Sequence, residues 1–233
     1  MAKADPSRQR RKLVILCGPS GVGKATLKNK VIELAQSERG LPSYVLMPLL
    51  YSRQPRKGET DGEFRFVAKE EIAELRPGEV FRRSLYGKYW QAVRVKDLEA
   101  AFGGEGISIL ELPRLLAFDV MSRYCGVRSI LLSPVPVAKA LSAACMRDAE
   151  LQLESRQRER ANAKGDWLSE DGLRLRIKEG IELLSVADQF NRVLVMPSAP
   201  VGRERDAVVA EVARQFIDFV QGEGELSGTD SQE

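Results

Sequence analysis

The chain has 233 residues, of which 43% are hydrophobic and 30% are charged, and its formal net charge is +3. This composition is ordinary for a globular protein, no apolar stretch is long enough to span a bilayer, and the net charge is too small to predict a nucleic-acid partner. Histidine is absent, so the commonest general base and metal ligand is missing, which argues against hydrolase triads and zinc sites.

The first eleven residues are polar and basic, and we expect a flexible tail there without the apolar segment of a secretory signal. The apolar segment 13–17 follows and is typical of a strand that is buried on both faces of a parallel sheet. Cys17 is therefore expected to carry a buried thiol. The three cysteines are widely spaced, form neither a metal pattern nor an even disulfide set, and indicate a reducing cytoplasm.

A glycine-rich turn follows this strand and leads into helix-forming sequence. It fits the phosphate-loop pattern G-x-x-x-x-G-K-[ST] except at the last position, where Ala25 lacks the hydroxyl that would hold Mg²⁺. Glycines let backbone N–H groups converge on an anion, and Lys24 supplies a compact charge for the terminal phosphates. The motif predicts a nucleotide site with no side chain as direct metal ligand, built from Gly18, Ser20, Gly21, Val22, Gly23, Lys24, Ala25 and Thr26.

Strands and helices are predicted to alternate along most of the chain, which indicates an α/β fold with a parallel sheet and right-handed crossovers. After the first strand, apolar runs predict strands at 44–47, 107–112, 129–132 and 192–196. Periodic or charged stretches predict helices at 26–36, 114–124, 137–161, 171–187 and 206–220.

Two segments interrupt this alternation. Residues 49–91 have little long periodicity, so we interpret them as an inserted subdomain of short strands and turns, and residues 150–170 are highly charged. The predicted domain covers 12–221, between the basic tail 1–11 and a disordered acidic tail at 222–233. Its core is assigned to 12–48, 92–149 and 171–221.

A pair of arginines lies inside the predicted insertion. Arg53 and Arg56 are three residues apart and are able to present forked donors to one phosphate, with Glu59 placed to brace them. Such a pair alone more often belongs to a charged surface. Its location downstream of a phosphate loop favours a phosphate-binding role.

These residues resemble the motifs of the guanylate kinase family. The similarity runs from about residue 12 to 221, and its two specific parts are the phosphate loop and the arginine segment. The loop is similar to G-P-S-G-x-G-K-S-T-L with one change. The second segment matches T-R-x-x-R-x-G-E-x-x-G-x-x-Y-x-F-V at Arg53, Arg56, Gly58, Glu59 and Gly62, and at Phe66 when one residue of the pattern is omitted after Gly62. Weaker matches are Tyr86-Gly87 to Y-G-T, Leu153 to Arg156 to the lid's L-x-x-R, and Arg176 to R-L-x-x-A-x-x-E-L.

The resemblance implies a P-loop nucleoside monophosphate kinase fold, with ATP on the loop, an acceptor-binding insertion at 49–91 and a helical lid at 150–170. It implies that Mg²⁺ is held through water, because Lys24-Ala25-Thr26 is similar to the Lys-Gly-Thr of adenylate kinases. The implied catalytic residues are Lys24, Arg53, Arg156 and Arg176, the last two closing over the donor phosphates. The implied acceptor-binding residues are Arg53, Arg56, Glu59 and Tyr86.

The sequence departs from the family where the acceptor would bind. At four positions where the family carries polar ligands, this chain has Leu49, Phe64, Lys88 and Pro113. Arg82 or Arg83 lies where a carboxylate that reads guanine is expected. A site that hydrogen-bonds a base discriminates between bases because unpaired buried polar groups are costly, and a cation in place of the carboxylate reverses the preference for the donor edge of guanine. We therefore hypothesise that GMP is not the efficient acceptor.

Three functions stay open at this point. The favoured one is an ATP-dependent kinase for a different nucleotide or a phosphorylated small molecule, such as a ribose bisphosphate, suited to the positive charge of Arg82, Arg83 and Lys88. The second is a binding module for a phosphorylated or acidic partner, with little catalysis. The third is an ordinary guanylate kinase that reads its base with other residues. The oligomeric state is left open.

Overall fold

The structure is a computed structural model that describes residues 12–55, 64–85, 89–124, 126–137, 142–164, 169–198 and 202–222. Several segments and residues for which the sequence makes predictions lie outside the described residues. They are the basic tail 1–11, nearly all of the acidic tail 222–233, and the positions of Arg56, Gly58, Glu59, Gly62, Tyr86, Gly87 and Lys88.

A five-stranded parallel sheet forms the centre of the fold. Strand β1 is in the middle, and its residue Ile15 is paired with Leu110 on one side and with Ser129 on the other. The strand order is β2-β7-β1-β8-β9. The bounds are β1 Leu13–Cys17, β2 Tyr44–Leu46, β7 Ile107–Glu111, β8 Arg128–Ser133 and β9 Arg192–Val195.

Both faces of this sheet are covered, as the sequence predicts. Every residue of β1 is fully buried, and alternate side chains enter two separate cores because successive residues of a strand point to opposite faces. Leu13, Ile15 and Cys17 lie in one core, and Val14 and Leu16 lie in the other. Burial raises the pKa of the Cys17 thiol above its ordinary value, so this thiol stays protonated.

Helices form the two outer layers. The core on the side of Val14 receives side chains from the first and last long helices. The core on the side of Leu13 receives them from the four long helices that lie between these two in the chain. The bounds are α1 Lys24–Ser37, α3 Val95–Gly103, α4 Arg114–Arg123, α5 Ala143–Lys164, α6 Glu170–Leu184 and α7 Arg203–Gln221. Within the described ranges, no helix is long and apolar enough to cross a membrane.

A second, four-stranded sheet lies in the part of the chain where short strands were predicted. Its order is β4-β3-β6-β5, with β3 parallel to β4 and β6 antiparallel to both of its neighbours. A small core of Leu50, Ile72 and Ala92 packs against one short helix, α2. The bounds are β3 Leu49–Tyr51, β4 Phe64–Phe66, α2 Lys69–Glu74, β5 Val80–Leu85 and β6 Tyr89–Arg94.

Several predicted boundaries were wrong. Helix α1 begins at Lys24 instead of residue 26, because Gly23 occupies the N-cap position in a left-handed conformation, with φ of 107°. Helix α5 begins at Ala143 instead of residue 137, because the Ser142 hydroxyl accepts the Cys145 N–H at 3.1 Å, a capping contact. Helix α6 ends at Leu184 instead of residue 187, and helix α3 was not predicted.

Candidate functional site

The carboxyl ends of three neighbouring strands meet at one edge of the central sheet. Strand β1 leads into the glycine loop, β7 ends at Glu111, and β8 ends at Ser133. In open parallel sheets, ligands bind at this edge. The phosphate-loop sequence and a carboxylate from a distant part of the chain are therefore brought together.

The loop between β1 and α1 has the backbone conformation that its glycines allow. Gly21 and Gly23 have φ values of 84° and 107°, which side-chain-bearing residues rarely adopt. Gly18 packs so closely on β8 that a Cβ atom there would lie 2.7 Å from the Leu132 carbonyl oxygen. The loop thus requires glycine at these three positions.

The N-terminus of α1 offers backbone donors to an anion. The first N–H groups of any helix have no intrahelical partner, and here the N-cap residue Gly23 makes no side-chain capping bond and the first turn has no acidic residue. The positive end of the helix dipole points the same way. This arrangement fits a phosphate group.

The ammonium group of Lys24 lies within the loop that precedes it. Its Nζ donates to the carbonyl oxygens of Gly18 at 2.8 Å and Pro19 at 3.0 Å, and it lies 3.6 Å from Glu111 Oε1. The side chain is 13% exposed. The position agrees with the predicted role at the terminal phosphates, which stays a prediction.

A second lysine of α1 was missed by the sequence reasoning. Lys28 is only 2% exposed, and its Nζ lies 2.5 Å from Glu111 Oε2. The signal that points to it is its spacing, because Lys24 and Lys28 are four residues apart and share one helix face. Two ammonium groups therefore flank one carboxylate below the loop.

The charge state of Glu111 follows from these neighbours. Burial by itself raises the pKa of this carboxyl group, but the ammonium groups of Lys24 and Lys28 outweigh burial and hold the pKa below its ordinary value. Glu111 is accordingly ionised at neutral pH and bound to both lysines.

The described residues around the loop do not fit a directly bound Mg²⁺ ion. Ala25 has no oxygen in its side chain, and both oxygens of Glu111 face an ammonium group. In the described ranges, no group of three or more histidine, cysteine, aspartate or glutamate side chains is placed to hold a metal. Binding of Mg²⁺ through water stays a prediction.

Helix α5 of the predicted lid is attached to the outside of the loop. Arg156 donates from Nη1 to the Val22 carbonyl at 2.9 Å and from Nη2 to the Met196 carbonyl at 2.7 Å. Gln157, which the sequence reasoning missed, is 4% exposed and donates to the Ser20 carbonyl at 2.5 Å. Burial lowers the pKa of Arg156. In this arrangement Arg156 supports the loop, and its role toward donor phosphates stays a prediction.

Helix α6 also packs against the loop. A Cβ atom at Gly180 would lie 3.1 Å from the Pro19 Cβ and 2.9 Å from the Leu153 Cδ1, so the helix approaches the loop and α5 closely. The predicted catalytic residue Arg176 is partly buried and lies one turn before Gly180, on the same helix face. Its catalytic role is likewise a prediction.

Of the residues predicted to bind the acceptor, Arg53 is the one that the structure describes, and it lies two residues after the end of β3. The residue is 8% exposed, and its guanidinium carbon lies 4.5 Å from the ring centre of Tyr51, 5.2 Å from that of Phe66 and 5.6 Å from that of Phe64. Cation–π contacts of this kind hold an arginine in one orientation. These contacts fix the orientation of Arg53, and its role in binding an acceptor phosphate stays a prediction. Arg56, Glu59 and Tyr86 lie outside the described residues.

Two arginines that were interpreted as added positive charge for the acceptor have structural partners. Arg82 Nη1 donates to the carbonyls of Ile72, Ala73 and Leu75 at 2.9 to 3.0 Å, at the carboxyl end of α2. Arg83 makes two bonds to Asp119 on α4, at 2.7 and 2.6 Å, and this carboxylate raises the pKa of Arg83. Their charge therefore gives no support to a sugar-phosphate acceptor.

Comparison with known proteins agrees with this architecture. The family model described as guanylate kinase matches residues 10–95. The guanylate kinase of Nostoc sp. is 29% identical over 187 residues, covering 79% of this chain and 81% of the relative, and that of Trichormus variabilis is 28% identical over 196 residues, covering 83% and 85%.

A solved structure has the same fold. The crystal structure of guanylate kinase from Anaplasma phagocytophilum aligns with a TM-score of 0.55 at 19% identity, covering 91% of this chain and 87% of that chain. This likeness agrees with a mixed α/β fold that has a parallel central sheet. In sequence and in fold, the chain is thus similar to guanylate kinases.

Proposed function

We propose that the chain transfers the terminal phosphoryl group of ATP to a nucleoside monophosphate. The observation that carries this proposal is the placement of Lys24 inside a glycine loop whose following helix has no side-chain cap. Phosphoryl transfer depends mainly on positioning and on the stabilisation of charge, and this chain provides both without histidine. The guanylate kinase relatives support the same class of reaction.

In the proposed mechanism, each described residue has one task. The N–H groups at the start of α1 bind the donor phosphates, and Lys24 leaves the carbonyls of Gly18 and Pro19 to bind the terminal phosphates. Arg156 and Gln157 hold the loop in shape through its outward carbonyls. Arg53 binds the acceptor phosphate and keeps it in line for attack. Mg²⁺, which offsets phosphate charge in such reactions, is proposed to contact the protein through water.

The identity of the acceptor is the finer part of the proposal. GMP is the first candidate, because the relatives are named guanylate kinases. Leu49 and Phe64 offer no hydroxyl, and Pro113 offers no carboxylate, at positions where the family carries polar ligands. Each lost hydrogen bond in such a site costs about 1–3 kcal/mol. We therefore propose that GMP turnover by this chain is slower than the ordinary kinase range of roughly 1–100 per second.

An acceptor screen tests the proposal. The full chain is incubated with ATP, Mg²⁺ and one acceptor at a time, namely GMP, AMP, CMP, UMP or ribose phosphates, and ADP formation is measured. We expect ADP to form with a nucleoside monophosphate. GMP turnover in the ordinary range would refute the reduced specificity, whereas ATP binding without ADP formation from any acceptor would favour the binding-module function.

Replacing Arg53 with lysine is expected to raise the KM for the acceptor and to lower kcat, while ATP binding stays unchanged. Lysine keeps the charge but loses the planar fork that binds a phosphate through two donors. Loss of charge-assisted bonds worth about 1.5–3 kcal/mol corresponds to about a tenfold to hundredfold lower kcat/KM. Steady-state kinetics with the acceptor found in the screen provide the measurement.

The matched control is Arg65→Lys, because Arg65 lies in the same small sheet but is exposed. The control is expected to have wild-type kinetics. Equal acceptor KM values in wild type and in Arg53→Lys would remove Arg53 from the acceptor site.

A further inference from the structure

Glu111 stands where phosphate-loop enzymes commonly use an acidic residue near the metal, yet in this chain it is engaged by lysine. Mg²⁺ is usually bound by one or two carboxylates and the substrate phosphates, and the hydroxyl after the loop lysine is the other usual protein ligand. Here the hydroxyl is absent at Ala25, and Lys28 Nζ lies 2.5 Å from Glu111 Oε2. The missing hydroxyl at Ala25 and the pairing of Glu111 with Lys28 each remove a usual protein ligand of Mg²⁺.

We propose that the Lys28 ammonium group takes the place of a protein-anchored Mg²⁺ ion beside Glu111, so that the loop binds ATP with similar affinity with or without the metal. The inference rests on the proposed ATP site. It concerns how the charge of the triphosphate is balanced, and Lys28 acts as a positioning residue that neutralises Glu111 and adds positive charge below the phosphates.

The charges of the described residues support the replacement of a protein-anchored Mg²⁺ ion by the Lys28 ammonium group. Lys24 and Lys28 contribute two positive charges and Glu111 contributes one negative charge, and each ammonium nitrogen lies within 3.6 Å of a Glu111 oxygen. These three groups together carry one net positive charge next to the loop. A divalent cation close to Glu111 would be repelled by two ammonium groups at short range, and a polyanion would be attracted.

Burial makes the arrangement persistent. Lys28 is 2% exposed, and Glu111 is 25% exposed. If the carboxylate turned to the water shell of a metal ion, a buried ammonium group would lose its carboxylate partner, and separation of a buried ion pair is strongly unfavourable. We therefore expect Glu111 to stay paired with Lys28 in the folded protein.

The test compares ATP affinity in excess EDTA and in excess MgCl₂ at equal ionic strength, by calorimetry on the full chain. For the wild type, we expect the two dissociation constants to agree within about threefold. The single variant Ala25→Ser is expected to behave similarly, because Lys28 still binds Glu111. The double variant Ala25→Ser with Lys28→Met is expected to bind ATP about tenfold or more tightly with Mg²⁺.

Lys30→Met is the matched control, because Lys30 lies on the same helix, is 24% exposed and pairs with Glu33. The metal dependence of ATP binding by this variant should equal that of the wild type.

Tenfold tighter binding of ATP by the wild type in Mg²⁺ would overturn the inference and leave the proposed function intact. The same applies if Ala25→Ser alone produced the metal dependence. Failure to bind ATP in either medium would overturn the proposed function together with the inference. The wild-type and Ala25→Ser measurements decide the question even if Lys28→Met does not fold.

Discussion

Lys24→Ala is expected to abolish the stabilisation of the protein by ATP and to lower the rate of phosphoryl transfer by about 10²–10³-fold. The reason is local charge, because the Lys24 ammonium lies inside the glycine loop on the carbonyls of Gly18 and Pro19. Alanine leaves the backbone donors but no cation for the terminal phosphates. The measurement is a thermal-unfolding titration with ATP, in which a bound ligand adds RT ln(1 + [L]/Kd) to stability.

The control for this variant is Lys30→Ala, on the same helix. Lys30 pairs with Glu33 at 2.7 Å on the outer face of α1, so its removal changes the charge of the protein equally without touching the loop. It is expected to keep the ATP-dependent shift in full. An undiminished shift in Lys24→Ala would show that the triphosphate does not bind where the motif predicts.

Glu111→Ala is expected to destabilise the fold by about 3–5 kcal/mol, the usual cost of removing one partner of a buried ion pair. Lys28 is only 2% exposed and would lose the carboxylate 2.5 Å away. Lys28→Met should cost less, because an unbranched apolar side chain can occupy the same space. Urea denaturation at neutral pH measures both variants.

Two further results distinguish this effect from a general loss of charge pairs. Asp119→Ala breaks the more exposed pair with Arg83, whose side chain is 48% exposed, and should cost at most about 1 kcal/mol. Because the pKa of Glu111 is held below its ordinary value in the folded state, its stabilisation is present above the ordinary carboxyl pKa of about 4.3 and is lost as pH falls through the lowered pKa. The loss of stability in acid should therefore be shallower in Glu111→Ala, and an equal slope would contradict the ion-pair argument.

Local sequence patterns were sufficient for the centre of the fold. The apolar run at Leu13–Cys17 predicted a strand buried on both faces, and the strand is fully buried. The glycine pattern predicted a turn between this strand and a helix, and the turn is present, with Gly21 and Gly23 at positive φ. Both predictions concern neighbouring residues, whose conformations depend on steric and periodic rules that are visible in the sequence.

The contacts between distant segments could not be predicted in this way. Gln157 is 137 positions from Ser20, and Arg83 is 36 positions from Asp119. From residue types alone, Arg82 and Arg83 were interpreted as charge available to the acceptor. In the structure both have partners within the fold, because a side chain's partner is decided by packing.

The sequence by itself determined the buried parallel strands, the glycine-rich loop and the resemblance to guanylate kinases, because these follow from motifs and periodicities within short segments. Only the tertiary structure decided that Lys24 and Lys28 share Glu111, 83 positions from Lys28, and that α5 supports the loop through Arg156. The physical reason is that strand order, not chain order, brings the end of β7 beside the end of β1, and the charges at that edge then balance one another.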